Sequence, residues 1–350
     1  MSENTEENSV KKQRIRVNFK DIPSSAWEHP ADKLGMKAIK TMPGLEPVMR
    51  MFLNFFANEQ AFRLFALASS VRVNEKQFPR IHRLHLEACT VLHVEKIPEL
   101  FVSQNPFFNA GAIGIDDPLI ILNSSLLDAM TDDEILFVIG HELGHIKSEH
   151  MLYRTLFFFL ELMMKNAHRL PLAGIAIGTM VGIYYALMEW SRKSELSCDR
   201  AGLLTVQDPE VAIQIQMKFT GGTRLEEMDL GEFMKQAEEY NEKGSLSDNM
   251  LKIFNLVDQS HPFPVIRVHE MMTWVQSGEY ENILRGYFST TDETPISDDV
   301  KKAKESYKRG FKQTIKPLED MMKDMKETVE KGAKDGKTPF DFFDKWRKKQ

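Results

Sequence analysis

Cysteine is nearly absent: Cys89 and Cys198 are the only two in 350 residues. That is too few for a disulfide framework and argues against an oxidising compartment. The opening "MSENTEENSVKKQRIRVNF" lacks the apolar stretch of a secretory leader, so a cytoplasmic protein is expected. Charge of a single sign is lacking too. The net charge is −6, but residues 301–350 carry 16 Lys and Arg against 9 Asp and Glu, and the other residues carry 29 against 42. An acidic body gives no reason to expect nucleic acid as a partner. The basic tail suits either a surface contact or docking back onto that body. Long apolar runs without charge are absent except for one, Pro171 to Met188, near the lower limit for crossing a bilayer. What the chain does have is 42% hydrophobic residues, enough for one large core or two small ones.

The informative stretch is "VIGHELGHIKSEH", residues 138–150. His141 and His145 are four apart, so on a helix both imidazoles point the same way, one turn apart. That geometry fills two corners of a tetrahedral zinc site. Glu142 is displaced about 100° around the helix and can reach a water at the metal without being a ligand, as a general base requires. Thr131 and Glu134 form a capping-box pattern at the helix start, with Asp132 and Asp133 in its first turn. The competing reading is a core helix with stray histidines.

The spacing along the chain predicts an α+β, mostly helical fold. Residues 1–20 are expected to be disordered and 21–74 to form a helical extension beside the core. Asn74 is a plausible cap for a helix over "NEKQFPRIHRLHLEACTVLHV", whose His82, His85 and His93 follow no ligand pattern. "PELFVSQ" and "PLIILNSSLL" read as short strands, giving a small sheet beside the zinc helix. Between them Asn109, Ala110 and Gly111 are candidates for a sheet lip that binds peptide as an added strand, or for an ordinary hairpin turn. Residues 155–189 form an apolar helical hairpin, with Gly174, Gly178 and Gly182 on a small-residue face. It is either packed in the core or in contact with a membrane. Glu161 within the first run argues against full insertion, leaving peripheral attachment through the hairpin and the tail. Residues 291–350 are expected to be a charged, amphipathic helical tail.

Three protein ligands are usual for a catalytic zinc. A Gly at 148 with a His at 151 would complete one familiar pattern, but the chain has Ser148 and Met151. His150, five residues past His145, should point away from the metal face. The better candidate is in "EWSRKSELSCDRAGLL", where Glu195 and Asp199 share a helix face. Glu195 can ligate, and Asp199 can hold the other ring nitrogen of a ligand histidine.

With "HELGH", "ELSCD" and "SHPFPVIR" in this order, the chain resembles the HtpX- and Oma-type zinc metallopeptidases, metallopeptidase family 48, over residues 75–290. The resemblance implies a gluzincin fold and a zinc endopeptidase acting on proteins or peptides, with protein quality control as its setting. It implies one zinc on His141, His145 and Glu195, Glu142 as base and Asp199 behind a ligand. It also implies that His261 and Arg267 line the site: His261 as oxyanion donor, Arg267 orienting it or pairing with a carboxylate. His269 is the fallback donor. Cys198 departs from the alanine frequent in the family and is expected to serve packing. A chaperone-like scaffold with a structural metal, and a hydrolase of non-peptide substrates, are the other function classes. The intact Glu142 argues against the scaffold.

Overall fold

The computed structural model describes residues 16–55, 60–165, 177–242 and 263–288. Expectations for 1–15, the hairpin connector with Gly174, and the 291–350 tail lie outside these. Within them the fold is α+β and mostly helical, with one four-stranded sheet. Its elements are α1 (Pro30–Lys40), α2 (Leu45–Phe55), α3 (Gln60–Ser69), β1 (Val71–Arg72), α4 (Pro79–Val91), β2 (Glu99–Ser103), β3 (Ala110–Ile113), β4 (Leu119–Asn123) and α5 (Ser124–Ala129). Then come α6 (Asp132–Lys147), α7 (Met151–Lys165), α8 (Ile177–Val206), α9 (Pro209–Gly221), α10 (Leu230–Glu242), α11 (Pro264–Gln276) and α12 (Glu279–Leu284).

The strand order is β1-β2-β4-β3. Strands β2 and β4 pair in parallel, with Leu100 opposite Ile120, while β1 and β3 pair antiparallel on the two edges. Both inner strands are buried on both faces, which is why each reads as a continuous apolar run rather than an alternating one. The expected strand "PLIILNSSLL" ends at Asn123, where the pairing with Ser103 stops, and Ser124 begins a short helix that buries Leu126.

Helix α6 starts as expected. The Thr131 side chain accepts from the Glu134 N–H, and the Glu134 carboxylate accepts from the Thr131 N–H at 2.7 Å. Helix α4 does not. Its N-cap is Phe78, in a left-handed conformation with no side-chain cap. Asn74 instead accepts the Lys76 and Gln77 N–H groups in a tight turn before the helix.

The N-terminal stretch is more deeply built in than its composition suggests. Residues 16–20, expected to be disordered, are docked: Arg16 donates to the Val206 carbonyl and pairs with Glu87, and Phe19 is buried. Ile22 and Trp27 belong to the main core, with β2, β4, α4, α6 and the end of α8. A second core joins α1 and α2 to the apolar faces of α7 and α8, through Phe52, Phe159, Ile183, Leu187 and Trp190. From Ile177 on, the apolar run and the Glu195 segment are one continuous helix, α8. No helix among the described residues is long and apolar enough to cross a membrane.

Candidate metal centre

Helices α6 and α8 pack face to face, and glycine sets how close they come. A Cβ on Gly144 would lie 2.8 Å from the Ala201 Cβ and 3.2 Å from the Cys198 backbone, and one on Gly202 would lie 2.9 Å from the Phe137 carbonyl. With nothing larger tolerated there, the α6 face bearing His141 and His145 meets the α8 face bearing Glu195 and Asp199 directly.

Glu195 bridges the two histidines. Its Oε2 lies 3.2 Å from His141 Nε2, and its Oε1 lies 3.2 Å from His145 Nε2. A tetrahedral zinc with bonds of about 2.0–2.1 Å separates its ligand atoms by about 3.3 Å. One donor atom from each of His141, His145 and Glu195 lies within 4.8 Å of the others, a spacing from which a small inward movement reaches that of such an ion. His141 Nδ1 faces Asp199 Oδ1 at 3.1 Å, which frees Nε2 for the metal. Arg267, on α11, closes the rear: its Nε donates to Asp199 Oδ2 at 2.7 Å, and its Nη2 donates to Oδ1. Of the two roles considered for Arg267, the geometry shows the carboxylate pairing. Arg267 is buried, and its Nη2 also lies 3.5 Å from His141 Nδ1 and 3.9 Å from Glu195 Oε2, so it bears on the centre through Asp199 and through its own charge. His261 lies outside the described residues.

The electrostatics follow from these partners. Burial alone would lower the pKa of His141, but the hydrogen bonds and charges of Asp199 and Glu195 outweigh it and raise the value to about 9. For His145, burial and then the positive charge of Arg154 dominate, and its pKa falls well below the usual histidine value. Burial works against the Asp199 charge, yet Arg267 and His141 hold that carboxyl below the usual range.

Glu142 is buried one position on from His141. Its Oε2 accepts the backbone N–H of Ala112 at 2.8 Å. Ala112 is on β3, an edge strand, so this carboxylate ties the His141 helix to the sheet rim. Of Asn109, Ala110 and Gly111, the last two lie on β3 and Asn109 immediately precedes it. Asn109 gives its carbonyl to the Asn123 N–H at 3.0 Å, and alternation along an antiparallel pair turns Gly111 the same way. The outward backbone groups are those of Ala110 and Ala112.

Two side chains near the centre carried no readable signal. Arg154, on α7, donates to Glu195 Oε1 at 2.8 Å. Its Nη1 is 2.7 Å from His145 Nε2 and 3.2 Å from Nδ1. A point that near both nitrogens lies over the ring, not on the axis of the Nε2 lone pair, so Arg154 leaves the metal-facing position open. The other is His150, expected to point away. Helix α6 ends at Lys147, Glu149 turns left-handed with φ 56°, and the chain folds back. The Glu149 N–H bonds the Ile146 carbonyl, and the His150 N–H bonds the His145 carbonyl at 3.1 Å. That closing pattern places His150 over His145. Helical spacing beyond the last turn does not apply once the helix has stopped.

The sequence pattern that defines peptidase family M48 matches residues 75–275. The chain is 34% identical over 275 residues to the plastoglobule-localized metallopeptidase 48, chloroplastic, of Arabidopsis thaliana, covering 76% of this chain and 77% of that one. A protease HtpX homolog of Helicobacter pylori is 35% identical over 85 residues, 24% of this chain and 27% of its own length. A protease HtpX homolog 2 of Methanosarcina acetivorans is 23% identical over 211 residues, covering 53% and 71%. No solved structure matches the chain significantly. The family match over more than half of the chain, and a relative aligned over three quarters of both lengths, establish that this protein belongs to peptidase family M48, a family of metal-dependent proteases.

Proposed function

We propose that the chain is a zinc-dependent endopeptidase with a gluzincin-type centre, in which His141, His145 and Glu195 hold one zinc ion. The observation that carries this reading is Glu142, a buried carboxylate next to His141 that accepts the outward N–H of Ala112 on the edge strand β3. Two imidazole nitrogens and one carboxylate suit zinc in a three-ligand catalytic site. Bound there, zinc supplies Lewis-acid polarisation of a carbonyl and lowers the pKa of water toward neutrality.

The chain's own residues do the rest. Ala110 and Ala112 offer backbone groups to an extended peptide, which adds as a strand beside β3. Arrival of that peptide gives the Ala112 N–H a carbonyl to bond and releases Glu142 Oε2. Glu142 then accepts a proton from the attacking water and delivers it to the leaving amine. Arg267 holds Asp199, and Asp199 holds His141 with Nε2 forward. His261 is assigned as the donor to the developing oxyanion, a role that fits the "SHPFPVIR" pattern.

The experiment is zinc content and casein cleavage measured together on the unaltered chain and Glu142→Gln. Loss of a general base lowers the rate by about 10²–10⁴, with zinc retained. Cleavage within a few-fold of the unaltered chain removes Glu142 from the mechanism, whereas zinc binding with no cleavage by the unaltered chain favours the scaffold reading.

A peripheral lipid contact is the reading for location. Phe158 and Leu162 on α7 and Leu53 on α2 are exposed beside the apolar core of the hairpin. The Arabidopsis relative is named for the plastoglobule. High salt should release a contact held by the basic tail alone, because screening removes it. Retention of the protein in the membrane pellet after carbonate would make it an integral membrane protein instead.

A further inference from the structure

His141 owes its orientation to Asp199, on the helix opposite. His145 has no such carboxylate behind it, and its outer nitrogen faces a different partner. His145 Nδ1 lies 3.2 Å from His150 Nδ1, with the rings 5.5 Å apart. His150 Nε2 lies 3.0 Å from Asp32 Oδ2, on α1. Two further donors reach the Asp32 carboxylate: the Trp190 Nε1–H reaches Oδ1 at 2.8 Å, and the Ser197 hydroxyl reaches Oδ2 at 2.6 Å. Asp32, His145 and His150 are each no more than 2% exposed, so water cannot stand in for a missing partner.

The proton count along this line has one solution that suits a metal. Two ring nitrogens facing each other at hydrogen-bond distance share a single proton. A carboxylate at Asp32 accepts, so the His150 proton sits on Nε2 and its Nδ1 is bare. His145 must then carry its own proton on Nδ1, which leaves the Nε2 lone pair facing Glu195 and the ion. With the His150 proton on Nδ1 instead, His145 would be protonated on Nε2 and its ligand position would be closed.

We propose that Asp32 and His150 are positioning residues of the metal centre: Asp32 fixes His150, and His150 fixes the ring of His145 with Nε2 presented to the metal. This rests on the zinc reading above and extends it to α1, which precedes the family-matched residues. The helix-end turn at Glu149 brings His150 into place, and α1 supplies the carboxylate that chooses its tautomer. A hydrogen bond behind a ligand histidine contributes about 10–100-fold to metal affinity.

The test is zinc affinity of the full chain by chelator competition at fixed pH. Asp32→Asn and His150→Phe should each weaken zinc by about 10–100-fold. The double variant should lose no more than the weaker-binding single variant, because both changes break one line of contacts. Ser197→Ala removes a donor to Asp32 without touching His150 and should bind zinc much as the unaltered chain does. One readout needs no variant: nitrogen-15 spectra of the zinc-loaded chain should show His150 protonated on Nε2 and bare on Nδ1. Unaltered affinity in both single variants, losses that multiply in the double variant, or a proton on His150 Nδ1 would each overturn the proposal. So would a second equivalent of zinc that His150→Phe abolishes, since His145, His150 and Cys198 would then be ligands themselves. If the unaltered chain binds no zinc, the metal reading fails first and takes this one with it.

Discussion

Helices α4 and α6 pack against each other, and each carries two histidines at helical spacing: His82 and His85 on one, His141 and His145 on the other. His85 and His141 are both buried, at 4% and 6% exposure. Their chemistry is opposite. His85 Nε2 has no partner among the described residues, and burial, with His82 nearby, pushes its pKa down to about 4. His141 is held at about 9 by two carboxylates from α8. Burial by itself makes a histidine neutral and inert. Burial opposite a helix that brings carboxylates makes it part of a site. The difference lies across the interface rather than in either helix.

The largest effect should come from removing what α6 faces. Glu195→Ala takes away the carboxylate that bridges His141 and His145, and bound zinc should fall from about one per chain to below roughly a tenth. Metal analysis giving an unchanged stoichiometry would strike Glu195 from the ligand set and leave α6 resembling α4.

Next is the support behind the site. Arg267→Met leaves Asp199 buried without its guanidinium partner, which should cost about 3–5 kcal/mol in urea unfolding of the metal-free chain. Adding Asp199→Asn should recover part of the loss. Additive losses in the pair would mean that the two residues do not form one unit.

The α4 side can be tested through pH. Unfolded, His85 titrates near 6.5, and folded it titrates near 4. Above pH 6.5 it is neutral in both states and its site keeps full stability. As pH falls from 6.5 to 4, the unfolded state takes the proton first, and stability drops by up to about 3 kcal/mol. His85→Phe should flatten that slope. Equal acid sensitivity of the variant and the unaltered chain, followed by denaturant midpoint, would show that His85 is not the burdened group.

The smallest effect concerns how the two helices begin. Thr131→Ala removes one half of the α6 capping box and should lower stability by about 1 kcal/mol. A variant as stable as the unaltered chain would place α6 with α4, whose start has no side-chain cap at all.

Much of the centre was legible because its signals are local. The spacing of His141, Glu142 and His145, the Thr131–Glu134 box, and the shared face of Glu195 and Asp199 are properties of helical periodicity, which holds wherever the helix does. The strands at Glu99–Ser103 and Leu119–Asn123 were readable as apolar runs. The misreadings cluster where periodicity ends. Asn74 bonded a turn rather than a helix, "SSLL" left the sheet when its partner strand ran out, and His150 came back because Glu149 turned left-handed. Residues 16–20 looked disordered by composition, yet Arg16 finds Glu87 and the Val206 carbonyl, partners that no nearby residue announces.

The sequence by itself determined which candidate donors share a face, since residues four apart on a helix, His141 with His145 and Glu195 with Asp199, point the same way. Only the tertiary structure decided what stands behind those donors. Asp32, His150, Arg154 and Arg267 come from α1, the turn after α6, α7 and α11, and no spacing in the chain links them. They meet because Gly144 and Gly202 let α6 and α8 close to near contact, and because a buried polar group at that depth is stable only with a partner.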